Sequence, residues 1–271
     1  MIPVENFENA NDLLKCDKES IEEIFRPMVQ VHIRKPGVEA SAICEEEHMS
    51  TGFSSRALIH SLFMLACTES SELRHLGLVA LRVLARDDEY RSIIIECGGV
   101  RMAIMSLQDA VAEHGAALLC NIATKDSARD QIRAEGGMRP VLDLLSSTTS
   151  DVTCATAAIR NIAARNLLNC AELAKMGAIP RLMRLANDSP IAIWALYNLC
   201  ADEACEELIL EQCKALAPLL HSPSQPLRDA VRSLFELLSR NRKSAKLLAK
   251  LTGERFEPKA SVTSNSTSAD V

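Results

Sequence analysis

The chain has 271 residues, 48% of them hydrophobic but only 3% aromatic, and a formal charge of −6. Apolar mass made mostly of Leu, Ala and Ile favours helix over sheet, and the net negative charge excludes the overall basic footprint of a protein that lives on nucleic-acid phosphates. No run reaches the roughly 18–20 apolar residues of a membrane helix; Met1-Ile2-Pro3-Val4-Glu5 lacks the basic flank and apolar core of a signal peptide, so the expected location is the cytoplasm, with the nucleus as a second site.

At the start of the chain, residues 9–15 and 20–34 read as helices, the second opening on a Ser20-x-x-Glu23 capping box. They are expected to cap the N-terminal end of the larger helical segment that begins at residue 54. Residues 36–52 form a loop rich in charge and small residues, with Glu45-Glu46-Glu47-His48 beside Cys44; a solvated acidic loop is the simpler reading than a metal site. This divides off residues 1–53.

From residue 54 a phrase recurs: Leu81-Arg82-Val83-Leu84, Leu119-Cys120-Asn121-Ile122, Ile159-Arg160-Asn161-Ile162, Leu196-Tyr197-Asn198-Leu199 and Leu234-Phe235-Glu236-Leu237, at steps of 38, 40, 37 and 38 residues. A second phrase keeps the same register: Gly98-Gly99 followed by Leu107, Gly136-Gly137-Met138-Arg139-Pro140 by Leu145, and Gly177-Ala178-Ile179-Pro180 by Leu185. Each unit reads as three helices. The first is short and ends at the glycine, which supplies a left-handed turn. The second carries Pro140 or Pro180 in its first turn, where a missing amide hydrogen costs nothing. The third and longest starts at a capping residue, as at Asp151 or Asp188-Ser189, and runs to the Leu-x-Asn-Ile phrase. Since a triplet of about 40 residues cannot bury its apolar stripe alone, each must stack on the next. The repeats extend over 54–252, and the Ser/Thr-rich residues 253–271 are expected to be a disordered tail.

Gly-Gly-x-x-Pro-x-Leu-x-x-Leu followed by a Leu-x-Asn-Ile helix resembles the armadillo repeat of the catenins and the importin-alpha adaptors. The resemblance covers 54–251 and is strongest over 98–201. It implies an all-α fold, a right-handed α-solenoid of about five armadillo repeats with atypical end-capping helices. It also implies that the third helices line a concave groove that binds other proteins. At both ends the pattern departs, since Val83 and Glu236 replace the asparagine and Glu211-Gln212-Cys213 replaces the last glycine corner.

Asn121, Asn161 and Asn198 hold one position on successive third helices. Stacking would make them a ladder of amides able to bind an extended peptide's backbone; the competing role is to tie each repeat to its neighbour. Trp194 stands one helical turn before Asn198 and is similar to the Trp-x-x-x-Asn pair with which importin-alpha clasps a nuclear localisation peptide. The matching positions are Val79, Ala117, Ala157 and Arg232, so no aromatic ladder is available to sandwich lysine stems. The third helices also carry more arginines, Arg82, Arg86, Arg160, Arg165, Arg228, Arg232 and Arg240, than acids, and a protein or peptide partner is therefore expected to be acidic or neutral rather than basic. Arg160, Tyr197 and Arg232 complete the candidate contact set, although each can instead cover the edge of the core with its apolar part. His75 and His114 lie on corresponding turns, where a structural role is the plainer reading.

The ten cysteines are scattered singly among Leu, Ile and Ala and read as small core residues; Cys200, Cys205 and Cys213 come nearest to a cluster, and no second ligand pair completes a zinc set. No phosphate-cradling loop or nucleophile elbow is present. The expected function is that of an adaptor or scaffold, with no catalysis, no cofactor, no metal, no nucleic acid, no membrane insertion and no small-molecule ligand. The alternatives are a regulator that clamps a folded domain, as armadillo-like exchange factors do for a chaperone ATPase, and a structural subunit of a larger assembly.

Overall fold

The computed structural model describes residues 10–33, 54–108, 111–146 and 151–257, which are helical with no β-strand among them. The acidic loop at 36–52, the corner at 147–150 and the tail at 258–271 lie outside the described residues. The chain divides into two compact units, one running to Ile162 and the other starting at Ala163.

In the first unit, a 3-10 helix at Ala10–Lys15 and helix α1, Lys18–Ile33, precede the repeats. The cap of α1 is not the expected Ser20 box: Asp17 lies just before the helix, and its Oδ1 accepts the Ser20 amide hydrogen at 2.9 Å. Both segments pack on the first repeat, formed by α2, Ser55–Ala66, and α3, Ser71–Leu84. Leu13, Ile21 and Phe25 are fully buried. Three polar ties reinforce the packing: Lys18 Nζ to Asp87 at 2.9 Å, Arg86 Nη1 to the Leu14 carbonyl at 3.1 Å, and Tyr90 Oη donating to Glu22 at 2.6 Å. Burial, with Glu22 alongside, pushes the Tyr90 phenol well above its ordinary range.

The second repeat comprises α4, Asp88–Glu96, α5, Gly99–Ser106, and α6, Ala112–Ile122; the third comprises α7, Asp126–Ala134, α8, Met138–Leu144, and α9, Asp151–Ala163. The second unit holds the fourth repeat, α10, Leu167–Lys175, α11, Ala178–Leu185, and α12, Pro190–Leu199. The predicted glycine corners are present, with Gly98, Gly136 and Gly177 at φ of 93°, 72° and 84°. Only glycine enters this region without strain, so the corner is written into the sequence. Ser189 caps α12 by accepting the Ala192 amide hydrogen at 3.3 Å.

The fifth repeat starts with α13, Glu203–Gln212, and ends with α14, Gln225–Leu238; its middle helix is replaced by 3-10 segments at Cys213–Ala215 and Ala217–His221. No glycine is available there, and Cys213 stays right-handed at φ −62°. The chain therefore tightens into 3-10 turns, helped by Pro218, instead of reversing through a left-handed corner. Helix α15, Arg242–Thr252, follows. The boundary expected at Thr252 shifts, because residues 253–257 turn back at Gly253 and pack on α14: Phe256 is 8% exposed and meets Phe235 edge to face at 5.4 Å.

The cores are built from the repeat phrases and the residues flanking them. Leu81, Leu84, Leu118, Leu119 and Ile122 in the first unit, and Leu196, Leu199, Leu234 and Leu238 in the second, are all fully buried. Burying each contributes about 1.5–3 kcal/mol relative to exposure. Third helices pack on one another within each unit, α3 on α6 and α12 on α14.

Candidate protein-binding face

The candidate residues fall into two groups, one on each unit. In the first, Asn121 on α6 and Asn161 on α9 are half-buried rungs. Asn121 Nδ2 donates to the Arg82 carbonyl of α3 at 3.0 Å, and Asn161 Nδ2 donates to the Cys120 carbonyl of α6 at 2.8 Å. Each amide thus ties the end of one third helix to the end of the preceding third helix. The neighbour-tying role weighed from sequence is real, though its acceptor is a helix carbonyl and not a loop. A carboxamide hydrogen spent there satisfies one of the C-terminal carbonyls that a helix leaves unpaired. Arg160 is half-buried beside it and donates Nε to Asn161 Oδ1 at 3.1 Å, which fixes the amide's orientation.

Charged groups of both signs flank these rungs. Arg82 lies 3.9 Å from Glu113 and, through Nη1, 3.5 Å from His114 Nδ1. His114 Nε2 is 2.9 Å from His75 Nε2. Burial first, then the positive charge of His75 and Arg82, pulls His114 down to about 4, and burial lowers His75 as well. Burial holds the Cys120 thiol up at about 11 despite Arg160 and Arg82 nearby, so it is protonated and unreactive at neutral pH.

In the second unit, Trp194 and Tyr197 are half-buried on α12 and meet edge to face at 5.5 Å, with Asn198 half-buried on the next turn. Arg232 of α14 is exposed, but it does not join them as an open cation. Its Nη2 is 3.1 Å from Glu254, and its guanidinium lies 6.0 Å from the centre of the Phe256 ring. The chain's own residues 254 and 256 thus occupy Arg232.

Sequence reading missed the corner arginines. Arg129, 3% exposed, donates Nε to the Ala123 carbonyl at 2.8 Å and Nη2 to the Thr124 carbonyl at 2.9 Å, and pairs with Asp126 at 2.7 Å. Arg91 repeats this with Ala85 at 2.9 Å, Arg86 at 2.8 Å and Asp88 at 2.9 Å. The signal was present as Ala-x-x-Asp-x-x-Arg at Ala85 to Arg91 and again at Ala123 to Arg129. In the fourth repeat the position is Asn169, fully buried. These arginines hold one repeat to the next.

Stacked helical triplets with a left-handed glycine corner match a designed armadillo repeat protein in complex with the peptide (KR)4. The TM-score is 0.63 at 22% identity, over 71% of this chain and 87% of that one. The chain has the armadillo-repeat fold. No family model matches it. Among natural proteins, this armadillo chain is 28% identical over 200 residues to Vacuolar protein 8 of Schizosaccharomyces pombe, covering 69% of the chain and 36% of the relative. It is 25% identical over 218 residues to U-box domain-containing protein 8 of Arabidopsis thaliana, covering 77% of the chain and 57% of the relative. The armadillo chain therefore spans between about a third and three-fifths of these relatives. Among its described residues, no helix is long and apolar enough to cross a membrane, and no group of three or more metal-ligating side chains forms.

Proposed function

We propose that this armadillo chain is a protein-binding adaptor that holds a segment of a partner against its third helices. The observation that carries the reading is the pair of half-exposed rungs, Asn121 and Asn161, each pinned through Nδ2 to the preceding helix. A pinned amide loses little entropy when it binds, and an amide nitrogen carries two hydrogens. At Asn121 the second is the donor assigned to a partner carbonyl. Trp194 with Tyr197 offers an amphipathic aromatic edge of the kind enriched where proteins meet. The fold supports this, since the designed armadillo repeat protein is seen with a bound peptide.

That peptide, (KR)4, is basic. Here Arg82 and Arg160 flank the rungs and favour an acidic or neutral segment, because a like-charged one would be repelled. Alanine at Asn121, Asn161 and Asn198 together tests the reading. Affinity capture with the wild-type chain defines the partner, and the triple variant should lose it while retaining a helical circular-dichroism spectrum. Unchanged capture by a folded triple variant overturns the reading. Clamping of a folded domain is the rival: a short peptide from the captured protein would then fail to compete.

A further inference from the structure

His75 and His114 form a second tie on the seam already closed by Asn121. On α3 seven residues separate His75 from Arg82, and on α6 seven separate His114 from Asn121. Seven residues are two helical turns, so the seam between α3 and α6 carries two ties in register, two turns apart. The seam between α6 and α9 carries the Asn161 tie as well, but the residue seven before Asn161 is Cys154. The histidine tie of the first seam is therefore not repeated at the matching position of its neighbour in the same unit.

The protons can be placed by elimination. A guanidinium only donates, so His114 Nδ1, 3.5 Å from Arg82 Nη1, is an acceptor. The proton of neutral His114 then sits on Nε2 and is donated over 2.9 Å to an unprotonated His75 Nε2. A further proton has no good place. On His114 it must go to Nδ1, against the guanidinium; on His75 it must go to Nε2, against the hydrogen His114 donates. Either removes a hydrogen bond, and on His114, only 6% exposed, it also sets a cation beside Arg82. Among the described residues, the charged groups that bear on His114 are Arg82 from α3, Glu113 from α6 and Asp151 from α9, and Glu113 also bears on His75. Glu113 and Asp151 favour the charged form, yet burial and Arg82 outweigh them for His114.

We propose that the His75–His114 contact is an acid-released clasp, which on protonation loosens the seam between α3 and α6 while the seam between α6 and α9 stays closed. Both imidazoles are lowered in the folded chain, so the unfolded or opened state binds more protons over the window. The clasp is complete above the free-histidine value of 6.5 and is lost as pH falls toward about 4. At pH 5 the His114 shift alone raises the opening equilibrium about thirtyfold. The consequence that acid would weaken partner binding at the first rung rests on the adaptor reading; the clasp does not.

The test uses the full chain without a partner. Proton NMR should show both imidazoles titrating together, well below 6.5, and hydrogen exchange corrected for intrinsic rate should show α3 and α6 losing protection between pH 7 and 5 while α9 keeps it. In the His75→Gln/His114→Gln variant the pH response of α3 and α6 should vanish. Independent titration of the imidazoles near 6.5, equal loss across α6 and α9, or a pH response retained in the variant would each overturn the clasp. If the variant does not fold, the wild-type titration and exchange map decide alone. Failure of the adaptor reading is separate, since it is read from capture by the asparagine triple variant.

Discussion

Asn161 Nδ2 reaches the backbone carbonyl of Cys120 at 2.8 Å, so the same side chain that marks the repeat in sequence also joins two repeats in space. In the proposed adaptor, binding and stacking would be coupled at this residue. Asn161→Ala should lower stability by about 1–2 kcal/mol, the cost of an unpaired carbonyl. Asn161→Asp should cost more, since a carboxylate offers no hydrogen and repels that carbonyl. Denaturant unfolding of both variants checks the order.

Arg129→Met keeps much of the aliphatic volume but removes the bonds to Ala123 and Thr124 and the ion pair with Asp126. Loss of a buried, hydrogen-bonded charge that caps a helix end should cost ~2–4 kcal/mol. By contrast Arg232→Ala, at an exposed and salt-screened pair with Glu254, should change stability by less than ~1 kcal/mol. Thermal melts of the two variants separate a corner arginine from a surface one.

Adjacent glycines at one corner should respond differently. A methyl group added to Gly98 meets nothing within 4 Å, so Gly98→Ala costs only the left-handed backbone, ~1–2 kcal/mol. A methyl group on Gly99 would lie 2.6 Å from the Ile94 carbonyl oxygen and closer still to the Ile94 side chain. Gly99→Ala must move backbone and should be the more damaging of the pair. An equal effect of the two on the unfolding midpoint would contradict this account of the corner.

Thiol labelling should follow exposure and thiolate character. Cys67 is exposed, whereas Cys170 and Cys205 are buried, with thiols pushed up to about 11 and about 12 chiefly by burial. Cys170 also donates to the Ala163 carbonyl at 3.2 Å. Mass spectrometry after brief treatment with iodoacetamide at pH 7.5 should find Cys67 modified well before Cys170 or Cys205. Early labelling of the buried pair would mean that the fourth and fifth repeats open locally.

The sequence by itself determined the repeat, because its signals are local. A left-handed glycine corner can be read from a glycine that recurs in phase at the end of a short helix, and so can the period of the phrase that ends each third helix. The choice of partner for each polar group belonged to tertiary structure. Nothing near Asn121 in the chain says that its amide meets Arg82, nor that His114 meets His75, since each pair is 39 residues apart. Arg232 shows the same limit: its register matches Trp194, yet residues 254 and 256 claim it after the chain turns at Gly253. Local backbone preference is a property of one or two residues, whereas a hydrogen-bond partner across a seam is set only when the helices have stacked.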